Sequence, residues 1–163
     1  MSLQYIIDAY NMINHPRFNA RSDGPCGIQG ALADFIREKR LAGSKNNKVI
    51  LVFDGYPKHG GGMPDDPGML SLFSRTIEAD EKIKKLVEES AQRRNIIVVS
   101  DDRQVCLSAR LLGARSCGVE EFISGGKSRS QAERARQEIE EIKISYTGMQ
   151  KINAELKKRW LGG

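Results

Sequence analysis

Leu3-Gln4-Tyr5-Ile6-Ile7-Asp8 is a short, mostly apolar run that ends on a carboxylate, and the same pattern returns twice along the chain. Val49 to Phe53 is followed by Asp54, and Ile96 to Ser100 is followed by Asp101-Asp102. Runs of this length, rich in β-branched residues and lacking polar alternation, read as strands covered on both faces. Leu70 to Phe73 is a weaker fourth candidate, and Arg115 to Gly118 a short fifth.

Segments with helical spacing lie between these runs. Ile28 to Leu41 places Ile28, Leu32, Phe35 and Ile36 on one face, with Gly43 as a stop signal. Asp80 to Arg94 gathers Ile83, Leu86 and Val87, with basic residues at its end, where the helix dipole favours them. Arg103 to Leu112 follows, capped by Gly113. Strands alternating with helices imply βαβ units. The expected fold is therefore α/β: a single-domain, three-layer sandwich around a central, mainly parallel sheet, with a helical C-terminal tail.

Two stretches read as loops: Asn14 to Gly27, and Gly55 to Gly68 with its Gly60-Gly61-Gly62 triplet. A loop as long as the second is more often functional or disordered than inert. After Gly126 the chain turns charged and helical, Gly148 breaks the pattern, and Met149, Ile152, Leu156 and Trp160 recur at helical spacing as a docking stripe. The domain is expected over 1–125 and a basic helical extension, packing on or flanking it, over 126–163.

A chain of 163 residues suits one domain with a proper core. No apolar run approaches a membrane span, and the N-terminus lacks the features of a secretory signal. Cys26, Cys106 and Cys117 are an odd, sparse set outside any CxxC pattern, which suits thiols in a reducing compartment. The expected location is the cytoplasm. The net charge is +5, but from Lys127 to Arg159 nine Lys or Arg face five Glu, so most of the excess is C-terminal. Such a tail is compatible with a polyanionic partner and equally with a solvated helix of mixed charge.

The carboxylates carry the functional reading. Asp8, Asp54 and Asp101-Asp102 end three strands, and Asp80 starts the helix after the weak fourth. In an open parallel sheet the strand C-termini share one edge, where ligands bind. Two carboxylates about 4 Å apart repel by about 4 kcal/mol at an effective dielectric near 20. Protonation, basic neighbours or a bound cation relieves such a cluster. No His or Cys sits at matching spacing, so the donor set is all oxygen, which favours Mg2+ or Mn2+ over Zn2+. Metal with few catalytic side chains suits phosphodiester hydrolysis. Lys58, Arg75, Arg103 and the stretch from Lys127 through Arg129 to Arg136 could flank the pocket and receive RNA phosphates.

Ile6 to Ile13 (IIDAYNMI), Val52 to Gly55 (VFDG), Phe73 to Ile83 (FSR…EADEKI) and Val98 to Val105 (VVSDDRQV) together resemble the NYN domain, a branch of the PIN-like nuclease superfold, in its bacterial YacP-like subgroup. The resemblance spans residues 3 to 125. It implies a metal-dependent endoribonuclease acting on single-stranded or structured RNA, with messenger RNA on the ribosome as one setting and a homodimer left open. It matches Asp8, Asp54, Asp80 and Asp101 to the catalytic, metal-holding acids. It also assigns supporting places to Asn11, Glu78 and Asp102, and Ser100 could touch phosphate or cap the next helix. Ala9 stands where many relatives have Gly.

Other motifs carry less. Gly125-Gly126-Lys127-Ser128 imitates a phosphate-binding loop, but the position that needs Gly holds Glu121. Gly60-Gly61-Gly62 lacks a strand-to-helix context. His15 and His59 are expected to be exposed loop residues without metal-ligand spacing. An RNA-binding module with weak or no catalysis is the alternative function. A receiver-type phosphotransfer domain ranks below it, since no strand-end Lys is evident.

Overall fold

Gln4–Asp8 forms strand β1, and its apolar residues place it at the middle of the sheet. The computed structural model describes residues 2–21, 23–24, 26–57 and 66–125. The chain divides into two units, Met1–Gly126 and Lys127–Gly163, and the described residues belong to the first. The Met149–Trp160 stripe and the Gly-rich triplet lie outside the described residues.

After β1 come α1 (Ala9–Ile13), α2 (Gly27–Glu38), β2 (Lys48–Phe53), β3 (Met69–Phe73) and α3 (Ala79–Glu89). A short 3-10 turn (Arg93–Asn95), β4 (Ile96–Val99), α4 (Arg103–Leu111), β5 (Arg115–Cys117) and α5 (Val119–Ile123) complete the described chain. The strands form one sheet in the order β3-β2-β1-β4-β5. Every pairing is parallel: β1 with β2, β1 with β4, β2 with β3 and β4 with β5. The weak fourth and short fifth strand candidates are thus the two sheet edges.

Alternation along each strand sorts side chains between two helical layers. Ile7, Leu51, Phe53 and Val99 pack with Met12 of α1, Leu32, Phe35 and Ile36 of α2, and Phe122 of α5. Ile6, Val52 and Val98 face the other way, onto Ile83 and Val87 of α3 and Val105 and Ala109 of α4. This is the expected three-layer sandwich. No helix among the described residues is long and apolar enough to cross a membrane.

Several boundaries differ from the sequence reading. The second helix ends at Glu38, and Leu41 closes it by donating its N–H to the Ile36 carbonyl. The third helix stops at Glu89, not Arg94, because Ser90 turns extended (ψ 131°) and donates its N–H to Val87. Arg93 then binds the Glu88 carbonyl at 2.6 Å, so this basic residue caps the helix end from the following turn. The short helices α1 and α5 carry too few turns for periodicity to reveal them.

Ile7 is fully buried in the central strand. Ile7→Ala is expected to destabilise the protein by about 2–5 kcal/mol, read as a lower urea midpoint with unchanged slope.

Candidate active site

Because Ile6, Val52 and Val98 face α3 and α4, the residues two positions further along inherit that side: Asp8, Asp54 and Ser100. β1 and β2 run parallel in register, with Asp8 opposite Val52, so their C-terminal ends lie side by side. Asp80, in the first turn of α3, enters from the layer above.

Asp8 is 3% exposed and held by partners rather than by charge. Its carboxylate accepts from the Asn11 backbone N–H at 3.3 Å, capping α1. The Asn11 side-chain amide donates to the same carboxylate. The Ser100 hydroxyl, 1% exposed, donates to Asp8 at 3.3 Å and accepts from Asn11 at 3.3 Å and from the Asp102 N–H at 3.1 Å. Ser100 thereby ties the end of β4 to the end of β1. Below it, the Cys106 thiol donates to the Ser100 carbonyl at 3.2 Å, and burial pushes its pKa up, which keeps it a neutral thiol.

Asp54 has its own support, from a residue the sequence reading missed. Ser74, 5% exposed, donates its hydroxyl to Asp54 at 2.8 Å and accepts from the Gly55 N–H at 3.0 Å. Phe53 pairs with Phe73, so each next residue falls on the same face as its neighbour, and this brings Ser74 beside Asp54. The available signal was a serine directly after the weaker fourth strand candidate. Arg75 follows in the left-handed region (φ 60°) and donates its N–H to the Gly55 carbonyl at 2.8 Å; Gly55 itself is at φ 78°. A non-glycine residue in that region is strained, and such strain clusters at functional sites.

Asp80 registers the combined field. Partial burial first, then the carboxylates of Asp102, Asp8, Glu78 and Asp54, push its pKa above the ordinary value. Glu78, Asp80, Gln104, Val105 and Ser108 line one groove between α3 and α4, which places Glu78 beside the cluster.

The two acids after β4 take different places. Asp101 continues the parity of Val99, toward α5, and its carboxylate accepts from the Val119 N–H at 2.8 Å. Gly118 leaves room for this approach, since a Cβ there would meet that carboxylate oxygen at 3.2 Å. Asp102 caps α4 through the Gln104 and Val105 N–H groups, at 2.7 and 3.4 Å. It is also the leading charged influence on Asp80. Arg75 and Arg103 are exposed at the same sheet edge, beyond β3 and β4. Lys58, Lys127, Arg129 and His59 lie outside the described residues. His15 departs from expectation: it is largely buried and pairs with Glu120 at 3.4 Å, beside Arg17, whose guanidinium holds Glu120 at 2.7 Å and lowers its pKa.

Among the described residues, no three His, Cys, Asp or Glu groups stand close enough to form a preassembled metal cage. The donor chemistry nevertheless fits a hard divalent ion. Mg2+ keeps several waters and is commonly held by one or two carboxylates, and the raised Asp80 pKa marks a negative field that a cation would relieve.

A parallel sheet between two helical layers, with carboxylates gathered past its strand ends, is the arrangement expected of a PIN-like α/β domain. The family model described as the YacP-like NYN domain matches residues 5–161, and this chain belongs to that family, a PIN-like nuclease domain. The match runs beyond residue 125, where the recognisable motifs stop. The fold is similar to Rae1 (YacP) from Bacillus subtilis, with 21% identity, TM-score 0.51, and coverage of 100% of this chain and 96% of that one. A mutant form of Rae1 (YacP) from Bacillus subtilis is similar at 22% identity and TM-score 0.53, over 91% of this chain and 85% of that one. No curated protein matches the chain.

A raised carboxylate pKa means that the folded protein holds the Asp80 proton more tightly than the unfolded chain does. Its contribution to stability is therefore greatest below the ordinary value of 3.8 and is lost as pH rises through the raised value. Thermal melts in EDTA from about pH 4 to about pH 7 are expected to show Asp80→Asn gaining stability relative to wild type as pH rises. Added Mg2+ is expected to narrow that difference by stabilising wild type more than the variant.

Proposed function

We propose that this protein is a cytoplasmic, metal-dependent endoribonuclease that hydrolyses RNA phosphodiester bonds at the sheet edge. The observation that carries this reading is the field at Asp80, where carboxylates from separate strand ends and from Glu78 converge on one position. A binding surface for a polyanion gains nothing from such a field, whereas a site that loads Mg2+ or Mn2+ requires it.

In this reading Asp8, Asp54, Asp80 and Asp102 hold the ion directly or through water. Asp102 takes the place that the family resemblance gives to Asp101, because Asp102 acts most strongly on Asp80 while Asp101 bonds α5. When bound, the ion polarises the phosphoryl oxygen, lowers the pKa of the attacking water and steadies the leaving oxygen. Asn11 and Ser100 fix the Asp8 carboxylate, and Ser74 fixes Asp54. Glu78 adds charge at the rim. Arg75 and Arg103 receive phosphates, with Lys58, Lys127 and Arg129 as further cations, and the basic extension over 126–163 adds to the grip on RNA.

Cleavage of an end-labelled single-stranded RNA with Mn2+ or Mg2+, beside an EDTA control, tests the proposal. Wild type should cut only with metal, and Asp80→Asn and Asp102→Asn should each lose about 100-fold or more in rate while keeping the wild-type circular dichroism spectrum. Asp101→Asn, which retains an oxygen for the Val119 N–H, should keep most of the activity, whereas Asp101→Ala should cost about 1 kcal/mol of stability. Metal-independent cutting, or no cutting of any RNA, would sink the reading.

A further inference from the structure

The large hydrophobic side chains left exposed among the described residues are Tyr10, Tyr56, Leu70, Leu107 and Leu111. The leucines lie within β3 and on α4. Both aromatics stand at the edge that carries the acids: Tyr10, 69% exposed, two residues past Asp8, and Tyr56, 63% exposed, two residues past Asp54. One exposed tyrosine needs no explanation. Two beside the acids of neighbouring strands, with neither ring buried in the core, call for a partner.

We propose that Tyr10 and Tyr56 are base-stacking residues that make this edge select single-stranded RNA, an inference that rests on the nuclease reading and extends it to substrate choice. The order of the sheet sets the arrangement. Across β3, β2, β1 and β4, the residues just past the strand ends run Arg75, Tyr56, Tyr10, Arg103. In strand order, then, two arginines flank two tyrosines, past the ends of the strands that lead into Asp54 and Asp8. Neighbouring strands are about 4.8 Å apart, so the two tyrosines start from adjacent lanes of one edge. The Tyr10 carbonyl accepts from the Asn14 N–H at 3.1 Å and from the Asn14 side-chain amide at 2.9 Å, and Tyr56 follows Gly55, which Ser74 and Arg75 hold.

The chemistry selects an unpaired strand. The carboxylates repel phosphate, so affinity at this edge has to come from the flanking arginines and from contacts that carry no charge. A nucleobase face on a tyrosine ring is such a contact, and it tolerates any base. In a duplex both faces of each base are covered by its neighbours, and the tyrosines gain nothing.

Fluorescence anisotropy with a labelled single-stranded RNA and a duplex of the same length, both in EDTA, tests the assignment, with Mn2+-dependent cleavage measured in parallel. Tyr10→Ala and Tyr56→Ala should each weaken single-strand binding about tenfold or more and leave the duplex affinity unchanged. Tyr10→Phe and Tyr56→Phe should bind the single strand as wild type does, since the phenyl ring still stacks. Alanine variants that keep wild-type single-strand affinity, beside a wild type that cleaves with Mn2+, overturn the stacking role and leave the nuclease reading standing. Equal losses on single strand and duplex overturn it as well. Single-strand binding lost in the alanine variants without any cleavage by wild type supports the stacking surface and sinks the nuclease reading. A wild type that neither binds nor cuts RNA overturns both.

Discussion

Everything at this site depends on the strict side-to-side alternation of a strand, held in common by three parallel neighbours. Ile6, Val52 and Val98 all turn toward α3 and α4, and the alternation carries Asp8, Asp54 and Ser100 to the same side. A shift of one residue in β1 or β2 would carry the Asp8 or Asp54 carboxylate to the side of α1, α2 and α5. The hydrophobic core therefore sets the register, and the register assembles the site. Function inherits its geometry from packing.

The same rule separates the adjacent acids. Asp101 falls on the Val99 side and meets the N–H of Val119, while Asp102 caps α4 and acts on Asp80. Two residues of one chemical type thus acquire different work, one joining β4 to α5 and the other adding to the field. Buried hydroxyls and an amide stand behind the acids: Ser100 and Asn11 on Asp8, Ser74 on Asp54. These partners restrict the carboxylates to set orientations, which a site must have if charge is to be placed in advance of substrate.

The cost of this placement is visible at Asp80, whose carboxyl is harder to ionise because it is partly buried and, after that, because other carboxylates surround it. Strain accompanies the charge. Arg75 occupies the left-handed region beside Gly55, and the Ser74–Gly55–Arg75 hydrogen bonds hold that turn against the end of β2. Charge and a strained turn thus meet at the C-terminal ends of β2 and β3.

Much of this was legible in the chain. Apolar runs ending in Asp identified β1, β2 and β4, and alternation with helical segments identified a parallel sheet, because both are local properties of sequence. The parity of Val98-Val99-Ser100-Asp101 was also there to be read and assigns Asp101 to the α5 side. Ser74, Tyr10 and Tyr56 were not singled out, since nothing in a serine or tyrosine considered alone distinguishes a site residue from an ordinary one. Sequence by itself determined which runs form strands, that those strands are covered on both faces, and that the acids gather at one edge. Only the tertiary structure decided that Ser74 supports Asp54, that Asp102 rather than Asp101 is the leading charged influence on Asp80, and that two exposed tyrosines fall between two arginines in strand order. Those relations join residues far apart in the chain, and they exist only once strand order and register have brought the ends of β3, β2, β1 and β4 side by side.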